Sequence, residues 1–244
     1  MRDQLVSELR KLRTTRMVAV FLLVAVGLTL LSAFAEGLSP TLDELAEEDQ
    51  QRMLIGGAAT NAVLLATFVG LLAVTNEFRY GTIRPTLLFE PRRRVVLAAK
   101  LAAAALVGIL FAVVCVALAF GAGLAILAAR DVDLALTGGH ALVLVCGPVA
   151  ASALSAMLGV TVGALIRNQL GAIVALAAYS LAVESVLFLA FPTVGRLLPG
   201  QAGNALAGLP DEDLLAPGVG AAVVVAWTLA FAAAAVARTE RSDV

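Results

Sequence analysis

Acids inside apolar runs are where chemistry is most expensive to place, and one such acid stands out. Glu184 lies in "YSLAVESVLF", seven residues before Phe191 in an otherwise apolar stretch. At a membrane helix centre an acid costs ~2.5–3.5 kcal/mol, so Glu184 is a functional candidate by default. Seven helical residues span ~10 Å, close enough to the end of the run for Glu184 to pair with a base such as Arg196. A place for Glu184 in a substrate path is the other reading, and the residues leave both open. The chain's single histidine, His140, follows Gly138 and Gly139 in a polar link, where a solvated side chain is expected rather than a metal ligand. Cys115 and Cys146 fall on consecutive apolar helices. A disulfide between them is geometrically conceivable, but small buried thiols are the ordinary expectation.

Other chemistry is missing from the pattern. There is no G-x-x-x-x-G-K-[ST] loop to cradle nucleotide phosphates, no H-E-x-x-H and no C-x-x-C. Serines and acids form no catalytic constellation. The sequence therefore predicts no catalytic residue, no metal and no cofactor held by this chain, and no nucleic-acid partner.

Basic residues, by contrast, are concentrated. "NEFRYGTIRPTLLFEPRRRVVLAAK", residues 76–100, carries six of the seventeen Lys and Arg residues: Arg79, Arg84, Arg92, Arg93, Arg94 and Lys100. Gly81 is a favoured helix terminator. Thr82 suits the cap of a short new helix, which tolerates Pro85 only in its first turn. Ile83, Arg84, Pro85, Thr86, Leu87, Leu88 and Phe89 would follow Thr82 as that helix. Pro91 stops it, and Arg92, Arg93 and Arg94 are expected at the headgroups. Three arginines suffice for orientation; the exposed Ile83, Leu87, Leu88 and Phe89 read further as a docking surface for another protein.

The elements that position these residues follow from composition. The chain has 244 residues, 61% hydrophobic and 14% charged, where an average soluble domain is ~45–50% apolar and ~25% charged. Several apolar runs reach the ~20 residues that cross a ~30 Å hydrocarbon core. The expected fold is all-α and polytopic, with spans near 17–35, 53–75, 95–120, 141–166, 170–191 and 218–237. Residues 1–16 place Leu5, Leu9 and Leu12 on one face of an amphipathic helix, expected to lie at the interface. "SAFAEG" after the first run has the small residues of a signal-peptidase site, but the run exceeds the usual ~7–15-residue signal core, so an uncleaved helix is expected. Residues 36–52 carry six acids and one base. The apolar run from Val95 to Ala129 is too long for one perpendicular crossing, and a bend or exit is expected at Gly121 and Gly123. Gly147-Pro148 predicts a kink in the fourth span. Four prolines from Pro192 to Pro217 predict short helices at or dipping into the outer surface. Residues 238–244 form a tail.

Six crossings put both termini on one side. Fourteen of the seventeen bases then share that side, and Arg52, Arg130 and Arg196 lie opposite. The positive-inside rule makes the termini cytoplasmic.

"EFRYGTIRPTLLFEPRRRVVLAAKL" resembles the cytoplasmic segment of ABC-2 type transporter permeases, the membrane subunits of ABC exporters, and in particular their high-GC bacterial branch. "SELRKLRTTR" is similar to that family's interfacial elbow helix, "GVTVGALIRNQLGAIVA" to its fourth-to-fifth helix junction and "LPGQAGNAL" to its outer re-entrant region. The likeness covers nearly the whole chain, although the acidic first outer loop is longer and more charged than the family pattern. The resemblance implies a multi-pass half-transporter in a bacterial plasma membrane that pairs with a second permease, identical or homologous, among membrane lipids. It implies two copies of a separate ATP-binding subunit, which would hold the ATP and Mg2+. Residues Thr82 to Phe89 would match the coupling helix that docks on the ATPase. The cargo class implied is hydrophobic or amphipathic: a drug, an antibiotic or a lipid. Two other readings stand beside export, a membrane subunit that couples to an ATPase for signalling or immunity, and a membrane-embedded lipid enzyme using Glu184.

Overall fold

The computed structural model describes residues 2–240 except 84, 86, 87, 89 and 91. Every regular element among the described residues is helical. The first is α1, Arg2–Thr14, followed at once by α2, Arg16–Leu38. Two short helices, α3 (Leu42–Leu45) and α4 (Glu48–Arg52), precede a π-helical turn at Met53–Gly57 that runs directly into α5, Ala58–Arg79. The long helices α6 (Arg93–Ala129) and α7 (Gly138–Ile166) come next. Helix α8, Gln169–Ala178, continues through a second π-helical turn, Tyr179–Val183, into α9, Glu184–Ala190. Two short helices, α10 (Pro192–Gly195) and α11 (Pro199–Ala207), lead to α12, Pro217–Glu240.

Among the described residues, six helical stretches are long and apolar enough to cross a membrane: Arg16–Leu38, Glu48–Arg79, Arg93–Ala129, Gly138–Ile166, Gln169–Ala190 and Pro217–Arg238. The described chain is thus all-helical, with six such helices. Helices α5, α6 and α7 form its centre, while α2, α8 and α12 leave most of their surface uncovered. Small residues explain the centre. A Cβ at Gly70 of α5 would overlap the Ala156 carbonyl oxygen of α7, and one at Gly159 of α7 would overlap the Thr67 carbonyl oxygen of α5. Two glycines facing across one crossing let the backbones touch, which is how apolar helices associate where water offers no driving force.

Helix α6 runs without a break through Gly121 and Gly123 to Ala129. Its far end is used for packing, since Gly123 lies against Ile55 and the C-terminal turns join a cluster with Leu45, Leu54 and Leu144. Pro148 sits inside α7 without ending it. The acidic segment is also folded rather than open. Thr41 and Glu44 form a reciprocal capping box on α3. The wholly buried Gln51 side chain donates to the Leu45 and Asp133 carbonyls and accepts from the Ala135 amide. Arg130 donates to the Gly37 and Pro40 carbonyls. These bonds close the link between α6 and α7 over the end of the bundle.

Candidate functional site

At the opposite end of the bundle four ionisable side chains from three elements converge. Glu8 of α1 is 4% exposed, Glu77 near the end of α5 is 6% exposed, and Lys100, two turns into α6, is 4% exposed. The Lys100 Nζ lies 2.8 Å from Glu8 Oε2 and 2.6 Å from Glu77 Oε1. Lys11 closes the ring, its Nζ 2.7 Å from Glu8 Oε1 and 2.9 Å from Glu77 Oε1. Two carboxylates and two ammonium groups cancel in charge, which is what allows such burial. Burial is the largest single influence on the Lys11 ammonium and pulls its pKa down, but hydrogen bonds and charge attraction from Glu8 and Glu77 together hold it above the usual lysine range. Glu77 Oε2 is buried and has no hydrogen-bond partner among the described residues. Sequence reasoning missed this quartet. Lys100 stands in sequence among the orienting bases, and no local pattern singles out Glu8 or Glu77, because their pairings span 92 and 23 positions. The available signal was Lys100, a lysine set within a run whose neighbours are apolar.

The quartet lies next to the segment singled out from sequence. Helix α5 ends at Arg79, and Gly81 has the left-handed φ of 69° that a glycine reaches without strain. Thr82 is exposed in the following turn; Ile83, Pro85 and Leu88 have helical backbone, with Leu88 84% exposed. Arg84, Thr86, Leu87 and Phe89 lie outside the described residues. Arg92 precedes the first residue of α6, with its backbone N–H and Nε both donating to Glu90 Oε1 at 3.2 and 3.1 Å. Arg93 and Arg94 occupy the first turn of α6. A groove of about 380 Å³ joins the two features, bounded by Glu8, Lys11 and Glu77 on one side and Tyr80 and Thr82 on the other.

Glu184 is buried, at 4% exposure, and no ion pair joins it to Arg196 among the described residues. Its Oε1 instead accepts from the backbone amides of Gly200 at 2.7 Å and Gln201 at 3.0 Å. These are first-turn donors of α11, which have no partner inside their own helix, so the carboxylate caps that helix from another element. In place of the expected Arg196, the helix end offers two fixed amide donors and a positive dipole. Gly200 leaves room for the carboxylate: a Cβ there would stand 2.5 Å from Glu184 Oε2, which would have to shift.

His140 is not in a loop. It lies in the first turn of α7, where Thr137 caps the helix, and its Nδ1 is 2.7 Å from Glu48 Oε1. Cys115 is buried, Cys146 is exposed, and both thiols are free, so the conceivable disulfide is not formed. No group of His, Cys, Asp and Glu among the described residues could hold a metal ion. No protein-family model matches the chain, and no curated protein matches it.

Proposed function

We propose that the chain is the permease subunit of an ATP-driven exporter in a bacterial plasma membrane, moving a hydrophobic or amphipathic substrate by alternating access. The observation that carries this reading is the segment between the second and third membrane-length helices. It is short, begins with a left-handed glycine, has helical backbone at Ile83, Pro85 and Leu88, and leaves Leu88 exposed. Apolar bulk outside the hydrocarbon calls for a protein partner. A separate ATP-binding subunit, two copies per assembled transporter, is that partner, and it supplies ATP and Mg2+.

The surroundings suit a lever. Helix α6 leaves the segment directly, and the quartet ties α6 and α5 to α1. Closure of the ATPase pair would press Thr82 to Phe89 and move α1, α5 and α6 together. Nucleotide then favours one permease state only as far as the docked segments differ between states. The first helix would be the interfacial elbow, α10 and α11 the outer re-entrant pair, and both termini cytoplasmic. The uncovered apolar faces of α2 and α8 are the surfaces available to lipid and to a second permease.

The test is a Thr86→Cys variant co-expressed with the ATP-binding protein of the same source. A cross-link to a single cysteine in that protein's membrane-facing cleft is expected. Failure to cross-link or to co-purify in several mild detergents would overturn the proposal. A flux assay on the purified pair separates export from ATPase coupling without transport.

A further inference from the structure

Where the end of α5 meets the start of α8, at the end of the bundle that holds the quartet, lies a groove of about 540 Å³ lined by Phe78, Arg79, Arg167, Asn168, Gln169, Leu170 and Ile173. Two of its seven residues are arginines and none is an acid. Neither arginine is joined to a carboxylate among the described residues. Arg79 is exposed and held by a hydrogen bond from Nη1 to Gln169 Oε1 at 2.8 Å, with its guanidinium 5.5 Å from the Tyr80 ring centre. Arg167 lies over the Phe78 ring at 5.3 Å, and among the described residues its guanidinium nitrogens donate to the Ala164 and Arg238 carbonyls, at 3.3 and 3.5 Å. Both guanidinium planes are thus oriented by aromatic and amide contacts, with donors left over.

Two further observations bear on Arg167. It adopts a left-handed backbone, φ 58°, at the end of α7, where glycine or asparagine is the low-strain choice. Retaining a long cation there puts charge at the groove at a cost in backbone strain. Burial, and then the positive charges of Arg238 and Arg93, push its pKa below the usual arginine value, so the groove is a place where positive charge meets positive charge. The α8 N-terminus adds a partial positive charge and the α5 C-terminus subtracts one; the two arginines decide the sign.

Below the charges the groove is apolar. Leu170 is 73% exposed and Val174 57% exposed, on the α8 face that continues from the groove along a membrane-length helix. A guanidinium pair matches the geometry of a phosphate, and the apolar strip matches an acyl chain. We propose that this groove binds the phosphate headgroup of an acidic phospholipid, with one of its chains lying along Leu170 and Val174. Membrane insertion is all that the proposal needs; it stands whether or not the chain is a permease.

The experiment is native mass spectrometry of the purified full chain, titrated in detergent with dioleoylphosphatidylglycerol or dioleoylphosphatidylcholine. About tenfold tighter retention of the glycerol lipid is expected, the effect of one charge-assisted contact surplus. The R79Q/R167Q double variant should lose that preference, and R79K/R167K should keep most of it. If the glutamine variant does not fold, hydrogen exchange on the native chain replaces it. Amides of residues 168–173 should then be slower in nanodiscs containing phosphatidylglycerol than in phosphatidylcholine alone. Equal retention of the two lipids, or full preference in a folded R79Q/R167Q, overturns the site. So does unchanged exchange. Displacement of the lipid by excess inorganic phosphate would assign the arginines to a soluble anion and overturn the lipid.

Discussion

Lys100 stands two turns inside a membrane-length helix and must be answered by carboxylates; Glu8 and Glu77 answer it from two other helices. Removing one member of a buried ionic group leaves the rest uncompensated, which costs about 3–5 kcal/mol. Lys100→Met should therefore lower unfolding stability in detergent by about that amount. Adding Glu8→Gln to it should cost less than the two single changes together, because the second change removes a charge that the first had stranded. Additive losses would show that the quartet does not act as a unit. These charges were misread from sequence because a lysine near the start of a span looks like a headgroup anchor. Which bases snorkel and which are buried depends on neighbours far away in the chain.

Helix α11 is held at its start by a side chain that belongs to α9. Nine residues make a marginal helix in isolation, and Glu184 supplies the two acceptor bonds that its first turn lacks. Glu184→Ala should strip both, at about 0.5–1.5 kcal/mol for each part-buried hydrogen bond lost. Hydrogen exchange should quicken at Gly200 and Gln201 while the amides of α5 and α7 keep their protection. Unchanged exchange at those two amides would mean that water caps the helix instead. The short helices themselves were legible from Pro192, Pro199 and Gly208, since proline opens a helix and glycine closes one; Gly208 indeed has φ 80°. The acid that joins them to the bundle was visible as an anomaly, yet its partner was not.

Across the whole molecule, charged groups gather at the two ends. Arg79, Arg167 and the quartet lie at one, and Arg52, Arg130 and the Glu48–His140 pair at the other. If the first of these ends faces the cytoplasm, a reporter fused after Val244 will be active only as a cytoplasmic fusion, and a cysteine at Asp133 will react with an impermeant reagent in intact cells. A periplasmic reporter would reverse the orientation. Six membrane-length helices were readable from the chain alone, because crossing hydrocarbon demands some twenty apolar residues whatever their neighbours are. The break after Arg79 was readable for a similar reason: glycine and proline act through their own backbones. What only the tertiary structure decided was pairing. Apolar faces look alike before they pack, and a charge is buried or exposed according to which helix arrives beside it. So the junction of Glu8, Lys11, Glu77 and Lys100, the capping of α11 by Glu184 and the arginine groove came from helices meeting, over separations that no local pattern spans.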